Sequence, residues 1–260
     1  MKRQAVNRRG FMTRLADGAA ALTLAGCDKL SSSEWFTGVL GKAEDVNRAV
    51  QPLVSGPEAL AQEFSEADIS PHFKANGTVN PDDDGYRRMA AKNLADWRLE
   101  IGGLVETAMR FSLAEIREFP SRTQITRHDC VEGWSCIGKW KGAPLSAILE
   151  RVKPLPAARY VMFFCADPMD KNPDGSVVKY YESLDLANAR HPQTILAYEM
   201  NGAALQIPHG APLRLRVERQ LGYKMAKYVM RIELVDDFAR FGDGGGGYWE
   251  DQGYEWYAGI

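Results

Sequence analysis

The sequence predicts an α+β fold in which mixed β-sheets carry short helices. Two observations predict it. Short segments rich in β-branched and aromatic residues recur between Trp97 and Val235, separated by turn residues. Between them stand only a few helical signals, each brief. The chain has 260 residues, 45% of them hydrophobic, enough for one large core or two small ones.

The N-terminus reads as a targeting segment rather than as fold. Asn7-Arg8-Arg9-Gly10-Phe11-Met12 resembles a twin-arginine export signal, and the apolar run Ala19–Leu24 follows it. The run ends at Leu24-Ala25-Gly26-Cys27, which resembles a bacterial lipobox and implies cleavage before Cys27 and a lipid anchor on its thiol. The expected organisation is a signal peptide over 1–26, a tether with N-terminal helices over 27–66 and one folded domain over 67–260. The expected location is the periplasmic face of the bacterial inner membrane.

Residues 34–53 predict a helix, because Trp35, Phe36, Val39, Leu40, Val46, Val50 and Leu53 recur at three- and four-residue spacing. Ser55-Gly56-Pro57-Glu58 predicts a turn into a second short helix ending near residue 66. Residues 68–84 lack any period and read as a long loop, with Asp82–Gly85 as a solvated turn. Such a loop inside a compact domain points to function. Strands are predicted at 97–101, 124–127, 160–164, 177–181, 194–200, 203–207, 213–217 and 228–235. Ser112-Leu113-Ala114-Glu115 is a capping box opening a helix that stops before Pro120. Pro144 begins another helix, and 183–189 a helical turn.

Charge and cysteine content exclude several classes. The formal net charge is −2, and removing residues 1–26 leaves 27 basic residues against 33 acidic. Such a body has no broad attraction to nucleic acid. The four cysteines form no Cys-x-x-Cys pair, which argues against a zinc ribbon. They are too sparse for a disulfide scaffold.

The chemistry centres on Arg127-His128-Asp129-Cys130-Val131-Glu132-Gly133-Trp134-Ser135. Cys130 lies at the exit of a predicted strand, and a cation at Arg127 or His128 would favour its thiolate, the form that binds metals or attacks substrates. The residues alone leave a buried structural cysteine as the alternative, and Cys136 as a neighbour or a disulfide partner. A second cluster follows at His209-Gly210-Ala211-Pro212-Leu213-Arg214, with Arg216, Arg219, Lys224, Lys227 and Arg231 close behind. Cations near a glycine turn suit a phosphate, or else pair on the surface. Alternation with Leu213, Leu215 and Val217 places Arg214 and Arg216 on one face of their strand.

Together these motifs resemble the sulfite oxidase family of molybdopterin-dependent oxidoreductases. Cys130-Val131-Glu132-Gly133-Trp134-Ser135 is similar to its metal-ligand segment, in particular that of the periplasmic branch that includes the catalytic subunit of protein-methionine-sulfoxide reductase. Leu196–Gly202, His209–Arg214 and Gly222–Lys227 follow in the family's order and spacing. The resemblance runs from about residue 68 to about residue 256 and makes 67–260 the expected catalytic domain, with the sulfite-oxidase fold.

The resemblance implies a molybdenum–molybdopterin cofactor, with tungsten as the alternative metal, and Cys130 as the protein's metal ligand. It implies cofactor contacts from Phe73, Lys74, Ala75 and Asn76, from Cys165 or Asp167, and from His209, Arg214, Met225, Ala226 and Lys227. Tyr198 matches a tyrosine near the metal-bound oxygen. Two arginines of the sulfite oxidases are missing: Ser135 and Cys136 stand in one region, Ala75 at the other position. A dianionic substrate needs such cations, so a sulfoxide-type substrate is expected over sulfite, with Arg127 as the compensating cation. The expected electron partner is a separate membrane haem protein, a quinol-linked protein or a soluble cytochrome. A monomer is expected, because the chain stops soon after Leu234, before the family's C-terminal dimerisation domain. The alternatives are sulfite oxidation, an envelope lipoprotein that lost the metal, and a thiol–disulfide protein using Cys130 and Cys136.

Overall fold

The computed structural model describes residues 33–260 apart from 44, 47–48, 51–55 and 57–58. The export signal, the lipobox and Cys27 lie outside the described residues. The chain divides into two compact units, Met1–Ser55 and Gly56–Ile260. The first holds helix α1 (Glu34–Gly41), the opening part of the helix expected over 34–53, of which 44, 47–48 and 51–53 lie outside the described residues; the Ser33 hydroxyl accepts the Phe36 N–H at 3.3 Å. Among the described residues no helix is long and apolar enough to cross a membrane.

In the second unit short helices interrupt strands. The order is α2 (Asp84–Ala90), β1 (Arg98–Gly103), β2 (Met109–Ser112), α3 (Leu113–Glu118), β3 (Arg122–Cys130), β4 (Trp134–Pro144) and α4 (Leu145–Val152). Then follow β5 (Tyr160–Lys171), β6 (Val177–Asp185), α5 (Leu186–Arg190), β7 (Thr194–Met200), β8 (Ala203–Ala204), β9 (Arg214–Val217), β10 (Val229–Val235) and α6 (Tyr248–Asp251). One sheet runs β2-β1-β10-β5-β6, with β1 and β10 parallel and its other pairs antiparallel. The other runs β3-β4-β7-β8, with β9 also on β7, and is antiparallel throughout. The fold is α+β with mixed sheets, as expected.

One apolar cluster joins both sheets. Leu99 and Ile101 of β1, Val161 and Phe163 of β5 and Ile232 and Leu234 of β10 meet Leu196 of β7, Leu213, and Leu215 and Val217 of β9, with Ile148 and Leu149 of α4. The alternation along these strands sends the apolar residues inward.

Several local expectations are met. Ser112 and Glu115 form the capping box, with Ser112 N–H donating to Glu115 Oε2 at 2.7 Å. Pro144 caps α4 rather than entering its first turn. Others need correction. The strand expected at 203–207 shrinks to two residues, because Ile207–His209 coil into a 3-10 turn. The short helix expected before residue 66 is not formed by residues 59–65. That stretch belongs to the second unit: the Phe64 N–H donates to the Ile125 carbonyl at 2.8 Å, and Glu63 bridges to Thr126. The compact body therefore begins earlier than residue 67.

The run Asp82–Gly85 is a helix start, not a solvated turn. Asp83 is the N-cap of α2, its carboxylate accepting the Tyr86 N–H at 2.8 Å. Partial burial opposes that charge, yet hydrogen bonds from Lys179 and from Tyr86 N–H hold the carboxyl below its ordinary value. Asp83→Ala is expected to cost about 1 kcal/mol, measured by denaturant unfolding. Since the folded pKa is depressed, the contribution is present above the unfolded carboxylate pKa and fades as pH falls through the folded one. An Asp83→Ala penalty that stays constant into strong acid would contradict the cap.

Candidate active site

Cys130 is the last residue of β3. It pairs with Trp134 across a three-residue turn in which Gly133 takes the left-handed position at φ +82° and donates its N–H to the Cys130 carbonyl at 3.0 Å. The period of two then sorts the neighbours. His128 is buried with the Cys130 face, and Arg127 points to the other side.

Cys130 lines an open cleft of about 710 Å³, a volume that includes the solvent at its mouth. Its walls come from Asn76, Gly77 and Thr78 of the long loop, Val131 and Glu132 of the turn, Asp167 and Met169 of β5, and the strip Gly222, Tyr223, Met225, Ala226 and Lys227. Tyr180, Trp249 and Tyr254 complete it. Gly222 is required by close approach: a Cβ there would stand 2.4 Å from the His128 ring.

Lys227 ties the walls together. Its ammonium donates to the carbonyls of Asn76 at 2.7 Å, Pro208 at 3.0 Å and Thr78. Burial and the nearby Arg214 pull its pKa down to about 7, with Asp167 acting the other way. Burial pushes the Asp167 carboxyl up, partly offset by the Thr78 hydroxyl and Lys227.

Behind the Lys227 strip, Arg214 is fully buried, its guanidinium 5.0 Å from the Trp140 ring and donating to the His209 carbonyl at 3.1 Å. Arg216 lies over the same ring at 4.4 Å, so the two arginines do share a face. Arg216 is neutralised by buried Glu218 at 2.5 Å, whereas Arg214 bonds backbone carbonyls. Burial and Arg216 bring Arg214 down to about 9, still protonated at neutral pH. Burial, Arg214 and Lys227 bring His209 down to about 4, so its imidazole is neutral. Lys224 and Arg231 also pair with carboxylates, which leaves Arg214 and Lys227 as the buried cations of this cluster that bond to carbonyl oxygens.

Four buried polar atoms here have no hydrogen-bond partner in the protein: Asn76 Oδ1, Asp167 Oδ1, His209 Nδ1 and Arg214 Nε. Buried polar atoms are normally satisfied, so such a group marks a site for a large polar ligand.

Some expected residues stand elsewhere. Arg127 is largely exposed and paired with Asp129 at 2.9 Å, outside the cleft, so it offers no cation to a substrate there. Nor does it or His128 favour a Cys130 thiolate. Burial, Arg216 and Arg214 hold His128 neutral, and burial pushes the Cys130 thiol up, partly offset by the Glu132 N–H. Tyr198 is buried in the main core under Arg117, because the alternation of β7 points it away from the cleft. Cys165 is likewise in the core, so the cleft takes Asp167 of that pair. Phe73 packs edge-on against Trp140 and His209 beneath the site, Ala75 is half-buried, and Lys74 sits at the mouth, 3.4 Å from Glu132 and over the Trp134 ring. Cys130, Cys136 and Cys165 are all free thiols; Cys136 stands across from His128 and donates to the His72 carbonyl at 3.8 Å.

The sequence reading missed Thr78, Tyr180, Gly222, Tyr223, Trp249 and Tyr254. Gly222 and Tyr223 were visible inside the Gly222–Lys227 motif. The aromatic tail around Trp249 and Tyr254 stood out by composition but had no position until the fold placed it.

Residues 87–240 match the oxidoreductase molybdopterin binding domain. The chain is 36% identical over 97% of its length, and 87% of the relative's, to YedZ1 of Azospira oryzae, whose name is that of a protein-methionine-sulfoxide reductase subunit. It is 33% identical to MsrP, the protein-methionine-sulfoxide reductase catalytic subunit, of Campylobacter jejuni over 56% of this chain and 51% of that one. It has the same identity to MsrP of Ralstonia nicotianae over 66% and 53%. The chain thus spans about half the length of the MsrP relatives it matches. With more than half of its residues inside the matched domain and YedZ1 aligned along nearly its whole length, this chain belongs to the molybdopterin-binding oxidoreductase family and is an oxidoreductase.

Proposed function

We propose that this chain holds a molybdenum–pterin cofactor in the Cys130 cleft and reduces a sulfoxide-type substrate by oxygen-atom transfer. Electrons come from a separate membrane haem or quinol-linked partner. The enzyme works at the periplasmic face of the inner membrane, exported by the twin-arginine route and anchored through Cys27. The observation that carries the reading is the pair of unsatisfied buried atoms on Asn76 and Asp167, which line the cleft together with Cys130 and Lys227.

The residues present fit the cofactor. Arg214 and Lys227 are buried cations suited to a phosphate, and Gly210 at φ +105° lets them approach, since a Cβ there would meet Lys227 at 2.9 Å. Among the described residues no three His, Cys, Asp or Glu converge on a metal, so Cys130 would act with ligand atoms of the pterin. When bound, the cofactor supplies two-electron oxygen-atom exchange. The protein's own part follows from its residues. Cys130 would hold the metal, and metal binding would deprotonate its thiol although burial raises its pKa. Met225–Lys227 and Asn76 orient the cofactor. Val131, Met169, Trp249 and Tyr254 give the cleft an apolar wall that suits an uncharged substrate. Lys74 at the mouth is held by Glu132 and Arg127 by Asp129, which disfavours a dianion such as sulfite.

A substrate screen with a dye couple run in both directions tests the reading. Sulfoxide-dependent dye oxidation is expected; sulfite-dependent dye reduction in its place would move the chain to sulfite oxidation, and molybdenum-free protein from cofactor-competent cells would overturn the reading. Lys227→Met removes charge-assisted hydrogen bonds worth about 1.5–3 kcal/mol. It is expected to weaken cofactor retention roughly 10–100-fold. Molybdenum per chain after gel filtration measures this, with melting of the metal-free protein as the control for the carbonyls that Lys227 gathers.

A further inference from the structure

Beside the cleft lies a second set of buried ionisable groups, centred on Lys224, the residue of the Gly222–Lys227 strip that does not line the cleft. Lys224 Nζ sits 2.5 Å from both Glu182 Oε1 and Glu250 Oε1, and all three side chains are at most 1% exposed. Gly247 permits the arrangement: a Cβ there would stand 2.1 Å from Glu250 Oε2 and 2.9 Å from Glu182 Oε1. Glu182 also accepts the Ser183 N–H at 2.7 Å, whereas Glu250 Oε2 has no hydrogen-bond partner. The remaining titratable groups facing Glu182 are Tyr180 on its own strand and Cys165 on β5. Two carboxylates sharing one ammonium in a dry site leave an uncompensated negative charge, and a bound proton removes it.

That proton has a route to the cleft. Tyr180 Oη lies 3.4 Å from Glu182 Oε2 and donates to the Tyr223 carbonyl, and both tyrosines line the cleft. We propose that the Glu182–Lys224–Glu250 cluster is a buried proton store that feeds the cleft through Tyr180. Its role rests on the reductive reading given above. Burial and the neighbouring Glu250 push the Glu182 carboxyl well up, and the carboxylates outweigh burial to push Lys224 up as well. The stored proton therefore belongs to Glu182, the carboxyl that burial and Glu250 push up, beside charged Lys224.

The step balances. Sulfoxide, two electrons and two protons give thioether and water; the electrons would come from the haem or quinol-linked partner by way of the bound cofactor. The Glu182 O–H bond would break as Tyr180 Oη accepts its proton, while Tyr180 would release its own proton from the Tyr223 carbonyl to the oxygen leaving the sulfoxide. The second proton enters from solvent at the mouth. Glu182 is left ionised against Lys224 and regains its proton from solvent before the next turnover.

Two measurements test the store and the route separately. In metal-free protein, infrared difference spectra between wild type and Glu182→Gln are expected to show loss of a protonated-carboxyl band that shifts in heavy water. Glu250→Gln is expected to lose the same band, because one carboxylate beside Lys224 ionises. Variants that keep the wild-type band overturn the store. In the holoenzyme, Tyr180→Phe is expected to lower kcat for sulfoxide about 100-fold, the low end of what a positioned proton donor contributes. The loss is expected to fall on kcat rather than on KM. Wild-type turnover in Tyr180→Phe across the pH range overturns the route. A wild-type holoenzyme that turns over no sulfoxide removes the proposed function instead, while the infrared band still reports on the store.

Discussion

Cys130→Ser is expected to abolish the molybdenum–thiolate absorption and to lower oxygen-atom transfer by more than the roughly 10–100-fold that follows loss of a contact merely supporting a metal ligand. The reason is positional. Cys130 places the one thiol that lines the cleft among the described residues, at the end of a strand whose turn is closed by Gly133. A serine hydroxyl is neither soft nor readily ionised, so it does not replace a thiolate ligand. Cys136→Ser is expected to leave the absorption and the turnover intact, because Cys136 lies outside that cleft, with its thiol on the His72 carbonyl. Cys165, buried in the core, is the second control. Optical spectra and metal content of the three variants decide the matter. An absorption band that survives in Cys130→Ser and disappears in Cys136→Ser would falsify the assignment of the ligand.

Trp140→Ala is expected to be among the most damaging single changes to stability, costing about 3–5 kcal/mol. Trp140 is completely buried on β4 and forms the floor on which Phe73, Arg214 and Arg216 rest, at 5.3, 5.0 and 4.4 Å between ring or guanidinium centres. Truncation leaves a cavity and also strips the aromatic face from two buried cations. For a unit of this size each kcal/mol shifts the melting temperature by about 2–4 °C, so calorimetry should show a large drop. Trp140→Phe keeps a ring, and the Trp140 Nε1 has no hydrogen-bond partner to lose, so its cost is expected to stay below about 1.5 kcal/mol. Equal melting of the two variants would refute this account. The Ala variant should also lose cofactor more readily, since Arg214 is steered toward the His209 carbonyl from that ring.

Much of the fold was legible because its signals are local. The Ser112–Glu115 capping box and the strands at 194–200 and 228–235 depend on neighbours a few residues away. What went unread has a physical reason in each case. β4 was not predicted, although Lys139 and Lys141 alternate with Gly138 and Trp140, because two glycines and a cysteine blur its pattern. Gly142 is there because a Cβ would stand 2.3 Å from the Leu196 carbonyl of β7, a contact made across the sheet. Asp82–Gly85 read as a turn because an N-cap and a turn use the same residues, and only the following Tyr86 N–H distinguishes them.

The site divides in the same way. Residue order and chemical type were enough to mark the cysteine segment, the His209–Arg214 turn and the Gly222–Lys227 strip, because ligands of one kind recur in one spacing. They were not enough to say which side of a strand a residue occupies. Arg127 is three positions from Cys130 and Tyr198 lies in a matching motif, yet strand register turns the first outward and the second into the core. Long-range pairing also brought Lys227 to the carbonyls of Asn76 and Thr78, about 150 positions earlier in the chain, and seated Glu182 beside Lys224 and Glu250. Local sequence thus specified the elements, the chemical groups and the family. The closing of two sheets on one core decided which groups share a cleft, because burial selects the strand faces and register then carries every side chain with it.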